Sequence, residues 1–185
     1  MLIRHADPDR DAAACAAVYA PYIEGGAVTS FELAAPDAAE MARRIAGLSA
    51  THAWLIAERE GEIAGYAYAG PHRPREAYRW SAEVSIYLAA AHHRQGVGRA
   101  LYEALLGLLR RQRLQVALAG ITLPNAGSVG LHESFGFRQV AAYPNIGWKD
   151  GGWREVGWWQ LTLQPGGIQG GSEPPPEPLG PQRLS

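Results

Sequence analysis

The 185-residue sequence contains a single cysteine, Cys15, and this scarcity excludes two kinds of site. One cysteine cannot form an internal disulfide framework, and it leaves nothing for a multi-cysteine metal site. We predict that Cys15 is a small core residue of the first helix, because no partner for a catalytic thiol is visible. The adjacent pair His92 and His93 has no third ligand in register, so we predict no metal site.

The sequence also lacks an excess of either charge, and its formal net charge is -1. A nucleic-acid-binding protein normally carries a basic excess or a basic face, so we expect no nucleic-acid partner. No apolar run is long enough to span a bilayer, and we find no N-terminal pattern typical of a secretion signal. These absences lead us to expect a cytoplasmic protein with no membrane partner.

The spacing of apolar residues predicts one α/β domain over residues 1–163, with a mixed sheet and helices on both faces. Asp7 and Pro8 are typical of a helix start, and Glu60-Gly61 is typical of a hairpin turn. Residues 164–185 are rich in Gly, Pro, Glu and Gln, so we predict a disordered tail. The predicted strands cover residues 1–4, 52–59, 62–69, 83–89, 115–122, 137–143 and 153–163. The predicted helices cover residues 8–23, 98–113 and 126–135, and a further helix begins at about residue 36. Residues 147–152 form a predicted loop.

One strand, one turn and one helix form the clearest candidate site. The run Glu83–Ala89 is largely apolar and favours a strand, and a Gly-x-Gly turn over His93–Arg99 then opens a helix. Glycines let the backbone approach a ligand closely, and the free N–H groups of a helix start point towards it. Arg94 and Arg99 add positive charge. The pattern therefore predicts a site for a phosphate-bearing cofactor.

A second candidate site is the loop over residues 70–79, which carries three arginines beside Tyr78. Guanidinium groups match planar anions such as carboxylates, so this loop can bind an anionic substrate group. The alternative is a solvated basic loop with no ligand.

Four motifs surround these features in order: Ala67–Pro71 (AYAGP), Ala77–Glu83 (AYRWSAE), Leu123-Pro124-Asn125 and Val156–Leu161 (VGWWQL). Together with the Gly-x-Gly turn they resemble the GNAT N-acetyltransferase superfamily, and within it the phosphinothricin and methionine sulfoximine or methionine sulfone N-acetyltransferases. The resemblance covers residues from about 2 to about 163. It implies the GNAT acyl-CoA N-acyltransferase fold, acetyl-CoA as co-substrate, a small amino-acid-like amine as acceptor, and a homodimer.

The resemblance also implies roles for individual residues. The superfamily turn begins with Gln or Arg where this chain has His93, so no cofactor contact is implied for that side chain. The implied cofactor contacts are Ile86, Tyr87, Leu88, Arg94, Gln95, Gly96, Val97, Gly98, Arg99 and Asn125. The implied substrate contacts are Phe31, Arg75, Glu76, Ala77 and Tyr78.

Acetyl transfer to an amine needs a base for the amine proton and benefits from an acid for the departing thiolate. Glu83 is the predicted base, acting directly or through water, because a carboxylate in an otherwise apolar strand is unusual. The alternative is an ion pair between Glu83 and an arginine of the preceding loop. His132 lies seven residues after Asn125, near the same helix face, and the resemblance implies that it is the acid. The alternative is a helix histidine that is capped or faces solvent.

Two other functions stay open at this point. The first is acetyl transfer to a polyamine, an aminoglycoside or a protein N-terminus, although the cationic loop disfavours polycationic acceptors. The second is a non-catalytic acyl-CoA-binding module, which the presence of both Glu83 and His132 disfavours.

Overall fold

The computed structural model describes residues 1–25, 29–166 and 173–184. No helix in these ranges is both long enough and apolar enough to cross a membrane. The strands are β1 (Leu2–His5), β2 (Trp54–Arg59), β3 (Glu62–Pro71), β4 (Ser81–Leu88), β5 (Val116–Leu123), β6 (Arg138–Lys149) and β7 (Gly152–Thr162). The helices are α1 (Pro8–Glu24), α2 (Ala38–Ser49), α3 (Val97–Arg111) and α4 (Ala126–Ser134).

The helix starts follow the capping chemistry of the sequence. The Asp7 side chain accepts hydrogen bonds from the backbone N–H groups of Asp9 and Arg10, and Pro8 occupies the first turn of α1, as predicted. The second helix begins two residues later than predicted, because Asp37 rather than a residue before it caps the helix through the N–H of Glu40.

The seven strands form one mixed sheet in the order β1-β2-β3-β4-β5-β7-β6. All neighbouring pairs are antiparallel except β4 and β5, which run parallel. This parallel pair is short, because Ser81–Glu83 pair with Val116–Leu118 and no pairing follows. Beyond that point β4 stays paired with β3 and β5 stays paired with β7, so the two halves of the sheet separate.

Helices cover both faces of this sheet, as predicted, and each face has its own buried cluster. On one face the leucines of α3, such as Leu101 and Leu105, pack on the central strands. On the other face α1 and α2 pack on β2 and β3, with Cys15 and Ile45 fully buried. Burial raises the pKa of the Cys15 thiol to about 12, which fits its predicted role as a core residue.

The predicted loop over 147–152 is wrong, because β6 continues to Lys149 and only a tight turn at Asp150 and Gly151 separates it from β7. Pro144, Asn145 and Gly147 are typical of loops, but the strand accommodates them in a register shift against β7. Pairing with β7 and the burial of Lys149 therefore override the local turn preference.

Part of the predicted disordered tail lies against the domain in this structure. The N–H of Leu179 donates to the carbonyl of Gln112 over 2.9 Å. The Trp80 indole donates to the carbonyl of Pro176 over 3.0 Å, and Arg79 pairs with Glu177. Composition gave no sign of these contacts, because backbone hydrogen bonds and an ion pair rather than apolar burial make most of them. Residues 167–172 and 185 lie outside the described residues.

Candidate active site

A cleft opens where β4 and β5 separate, directly after Glu83 and Leu118. Its volume is about 480 Å³, and β4, β5 and the starts of α3 and α4 line it. The ring of Trp158 covers Gly120 on β5, where an added Cβ would lie 3.3 Å from the ring. A long, narrow ligand can lie between the two strands and reach from Val84, next to Glu83, to the start of α3.

The start of α3 closes one end of this cleft and is suited to an anion. Gly96 caps the helix with φ of 81°, and no side chain bonds the first N–H groups. Arg94 and Arg99 line the cleft beside them. A Cβ at Gly98 would lie 3.3 Å from the Leu88 side chain, so glycine leaves the space between the start of α3 and Leu88 open. Free N–H groups, two arginines and a position without a side chain fit a phosphate-bearing ligand.

Two residues of the predicted turn can contribute only their backbone to such a ligand. The Gln95 amide accepts a hydrogen bond from Arg59 over 2.6 Å and donates to the carbonyl of Ala91 over 2.7 Å. The Val97 side chain is buried in the core below α3. Neither side chain is directed into the cleft.

Tyr22 of α1 bonds to the backbone of Leu88, one of the predicted cofactor contacts on β4. Its hydroxyl donates to the carbonyl of Leu88 over 2.7 Å and accepts from the N–H of the same residue over 3.2 Å. His93 completes this group, with Nε2 3.0 Å from the Tyr22 hydroxyl and 3.2 Å from the Leu88 carbonyl. His93, which replaces the Gln or Arg of the superfamily turn, therefore contacts residues of this chain. Backbone N–H and carbonyl groups alternate in direction along a strand. The backbone groups of Ile86 therefore point away from β3, like those of Leu88, whereas those of Tyr87 point towards β3.

Asn125 and His132 both lie on the α4 side of the cleft. The side-chain oxygen Oδ1 of Asn125 caps α4 by accepting from the N–H of Ser128 over 3.1 Å. His132 is 3% exposed, with Nδ1 2.7 Å from the Ser128 carbonyl and Nε2 2.8 Å from the Tyr102 hydroxyl. A carbonyl only accepts, so Nδ1 carries the proton and Nε2 accepts from Tyr102. Burial lowers the pKa of His132, which favours the neutral ring.

Glu83 lies where the cleft begins, and its partner is a histidine rather than the arginine of the alternative interpretation. His72 Nδ1 lies 2.8 Å from Glu83 Oε1. The Glu83 side chain is 38% exposed, and its Oε2 has no hydrogen bond to any described residue. One carboxylate oxygen is therefore held by His72, the other bonds no described residue, and the side chain is partly exposed, as a base requires.

The predicted substrate loop approaches this carboxylate through His72. Residues Glu76–Tyr78 form a single 3₁₀ turn, and the Tyr78 ring contacts the His72 ring edge-on with centroids 5.6 Å apart. Glu76 pairs with Arg79 over 3.5 Å. The side chain of Arg75 is exposed and bonds no described residue, and Ala77 offers only a methyl group and its backbone.

Phe31 lies in a different part of the site, against β6. A Cβ at Gly147 would lie 2.7 Å from the Phe31 ring, so the glycine lets this ring pack directly on the strand. Lys149 fixes the loop, because its buried ammonium donates to the carbonyls of Ile23, Ser30 and Glu32 at 3.0, 3.0 and 2.8 Å. The structure places Phe31 beside β6 and Tyr78 beside His72, the partner of Glu83.

Comparison with known proteins agrees with this architecture. Residues 3–158 match the model of the acetyltransferase (GNAT) domain. The chain belongs to the GNAT family. Among the residues that the structure describes, this GNAT chain has no cluster of three or more His, Cys, Asp or Glu side chains that could hold a metal.

Several relatives of this GNAT chain have named activities. It is 38% identical to a phosphinothricin N-acetyltransferase of Alcaligenes faecalis, over 85% of this chain and 81% of that enzyme. It is 38% identical to an L-methionine sulfoximine/L-methionine sulfone acetyltransferase of Salmonella typhimurium, over 59% of this chain and 64% of that enzyme. A phosphinothricin acetyltransferase of Sinorhizobium meliloti, solved in complex with acetyl-CoA, superposes with a TM-score of 0.86 at 29% identity, covering 96% of this chain and 94% of that one.

No role is predicted from the sequence for four residues that contact parts of the candidate site, namely His72, Tyr22, Tyr102 and Lys149. Each acts through a partner that is distant in sequence, such as Tyr22 with Leu88, 66 residues away. Of these four, only His72 has a sequence signal for a site role, because it lies in the arginine-rich loop over residues 70–79.

Proposed function

We propose that this GNAT chain transfers the acetyl group of acetyl-CoA to the α-amino group of a small amino-acid-like acceptor. Phosphinothricin, methionine sulfoximine and methionine sulfone are the proposed acceptor type. The supporting observation is the cleft between β4 and β5, which opens next to Glu83, a partly exposed carboxylate, and ends at the start of α3, where no side chain bonds the first N–H groups. The names of the relatives and the acetyl-CoA complex of the Sinorhizobium enzyme support the same reaction.

The start of α3 is the proposed binding site for the pyrophosphate. Its free N–H groups and the side chains of Arg94 and Arg99 offset the phosphate charge. The open backbone of Ile86 offers a donor and an acceptor to an amide-containing arm, as a strand offers them to a neighbouring strand. When bound, acetyl-CoA supplies an acetyl group activated as a thioester.

Glu83 is the proposed base. The acceptor amine attacks as its free base, so a C–N bond forms while the C–S bond breaks, and the nitrogen gives one proton to Glu83 directly or through water. The CoA thiolate leaves and takes a proton from solvent. Holding the amine and the thioester side by side in the cleft supplies a further part of the acceleration.

His132 is proposed as a residue of the cleft wall. The neutral ring has one proton, which is bonded to the Ser128 carbonyl, and its other nitrogen accepts from Tyr102. Proton donation to the thiolate requires breaking one of these bonds. The general-acid role of His132 stays a prediction that this geometry does not favour.

The charge of the loop before β4 supports an anionic acceptor. The side chains of Arg73 and Arg75 are exposed and bond no described residue, whereas Arg79 is paired with Glu76 and Glu177. Two free guanidinium groups attract a carboxylate or phosphinate and repel a polyamine.

A homodimer is also part of the proposal. The β6–β7 hairpin exposes Trp148 and Trp153, each 59% exposed, beside exposed Val140, Tyr143 and Ile146. An apolar patch of this kind is typical of a protein–protein interface. Sedimentation velocity tests it, and a single species at the monomer mass of 19.9 kDa would contradict it.

Release of CoA thiol, measured with each of the three acceptors and with spermidine as the polycationic control, tests the reaction. We expect turnover with at least one amino-acid acceptor and none with spermidine. Glu83→Gln should lower kcat at least about 100-fold, the scale of general-base catalysis, while calorimetry shows unchanged acetyl-CoA affinity. Acetyl-CoA binding without turnover on any amine would instead indicate a binding module.

A further inference from the structure

His72 and Glu83 meet because of the register between β3 and β4. Gly70 lies opposite Glu83, and His72 lies two residues beyond Gly70 and therefore on the same face of the sheet. With no side chain at Gly70, the imidazole reaches diagonally to the carboxylate, and Nδ1 lies 2.8 Å from Oε1. This contact is fixed by strand pairing rather than by the loop that follows.

The His72 ring is held on two sides. Its centroid lies 5.6 Å from that of Tyr78 and 6.0 Å from that of Trp158, and both contacts are edge-on. The His72 side chain is 17% exposed, while that of Glu83 is 38% exposed. The histidine is therefore the more buried partner of the pair, and the carboxylate is the more exposed one.

The bond determines which atoms of the pair are available. An ionised carboxylate only accepts, so His72 Nδ1 carries the proton in this contact. Glu83 Oε1 is thereby occupied, and Oε2 has no bond to a described residue. A charge-assisted hydrogen bond of this length restricts the carboxylate to one orientation.

We propose that His72 is a positioning residue that holds Glu83 with Oε2 directed at the acceptor amine. This inference rests on the proposed function, in which Glu83 is the base. His72 itself does not contact the reacting atoms. Its effect on the rate passes through Glu83, and binding of acetyl-CoA in the cleft beyond Glu83 does not depend on it.

Two substitutions at His72 separate its hydrogen bond from its packing. His72→Phe keeps a ring between Tyr78 and Trp158 but removes the donor, and we expect kcat to fall about tenfold or more. His72→Asn loses the ring but keeps an N–H donor near the position of Nδ1, and we expect it to recover most of that loss. The KM for acetyl-CoA should stay within twofold in both variants.

A double-mutant cycle with Glu83→Gln tests whether His72 acts through Glu83. In the Glu83→Gln background, His72→Phe should lower kcat less than twofold, because the base it positions is already absent. An equal loss in both backgrounds, an unchanged kcat for His72→Phe alone, or failure of His72→Asn to exceed His72→Phe would each overturn the inference. Absence of turnover by the unmodified protein with every acceptor would overturn the proposed function and this role together.

Discussion

The Tyr102 hydroxyl donates a hydrogen bond to Nε2 of His132 over 2.8 Å, and this links α3 to α4 beneath the cleft. Both side chains are buried, with exposures of 0% and 3%. The Phe137 ring also packs edge-on against the His132 imidazole, with ring centroids 5.1 Å apart. A buried pair in which each polar atom has a partner stabilises the fold, and it costs free energy when one partner is removed.

The first prediction is that His132→Phe lowers stability more than it lowers the rate. The variant leaves the buried Tyr102 hydroxyl without an acceptor, so the free energy of unfolding should fall by about 1–3 kcal/mol in urea titrations. Because the neutral ring has no proton free for the thiolate, kcat should fall less than about tenfold.

The matched control is the double variant Tyr102→Phe/His132→Phe, which removes both polar partners. We expect it to be more stable than His132→Phe alone, since no hydroxyl is left unpaired. A kcat loss of about 100-fold or more in a folded His132→Phe variant would instead support His132 as the general acid.

The second prediction concerns pH, because burial lowers the pKa of both His52 and His132. In the unfolded chain these rings have a pKa of about 6.5. At pH 5.5 they are therefore protonated in the unfolded state but remain largely neutral in the folded state. Stability is therefore fully present above about pH 6.5 and falls as the pH drops towards the lower folded pKa values. Between pH 7.5 and 5.5 the free energy of unfolding should decrease by up to about 1.4 kcal/mol for each ring.

Urea unfolding at the two pH values measures this difference, and His52→Gln provides the comparison. Asp11 and Glu32, whose pKa values are lowered by hydrogen bonds to Arg4 and Arg44 among other causes, lose their contribution only at more acidic pH. The decrease between pH 7.5 and 5.5 should be smaller in His52→Gln. A stability that is constant or rises towards pH 5.5 would contradict the assignment of neutral buried rings.

The elements set by local chemistry were the ones that the sequence predicts well. Asp7 and Pro8 marked the start of α1, Glu60-Gly61 marked the hairpin, and the apolar run after Glu83 marked the central strand. In each case the signal lies within a few residues of its effect. The turn before α3 belongs to the same class, because Gly96 adopts a positive φ that glycine permits.

The parts that depend on register could not be predicted in this way. His72 appears in the sequence as one residue of a loop rich in prolines and arginines, and only the pairing of β3 with β4 brings it to Glu83. Lys149 follows residues typical of a turn, yet its ammonium binds carbonyls more than 100 residues away. Such contacts are set by the whole sheet, so a local pattern carries no information about them.

The third prediction tests the cleft at Gly98, in the first turn of α3. An added Cβ there would lie 3.3 Å from Leu88, 3.5 Å from Leu131 and 3.6 Å from Ile86, all of which line the cleft. Gly98→Val adds two further methyl groups beside the proposed pyrophosphate site. We expect the acetyl-CoA dissociation constant, measured by calorimetry, to rise at least about tenfold, a loss of about 1.4 kcal/mol.

Gly107 on the same helix provides the control, because a Cβ there would meet only the Arg111 side chain, at 3.9 Å. Gly107→Ala should leave the affinity unchanged and stabilise the protein slightly, since alanine favours a helix interior over glycine by up to about 1 kcal/mol. Both variants should keep the circular dichroism of the parent protein. Equal acetyl-CoA affinity in a folded Gly98→Val variant would show that the ligand does not approach the start of α3, and the cleft would then need another occupant.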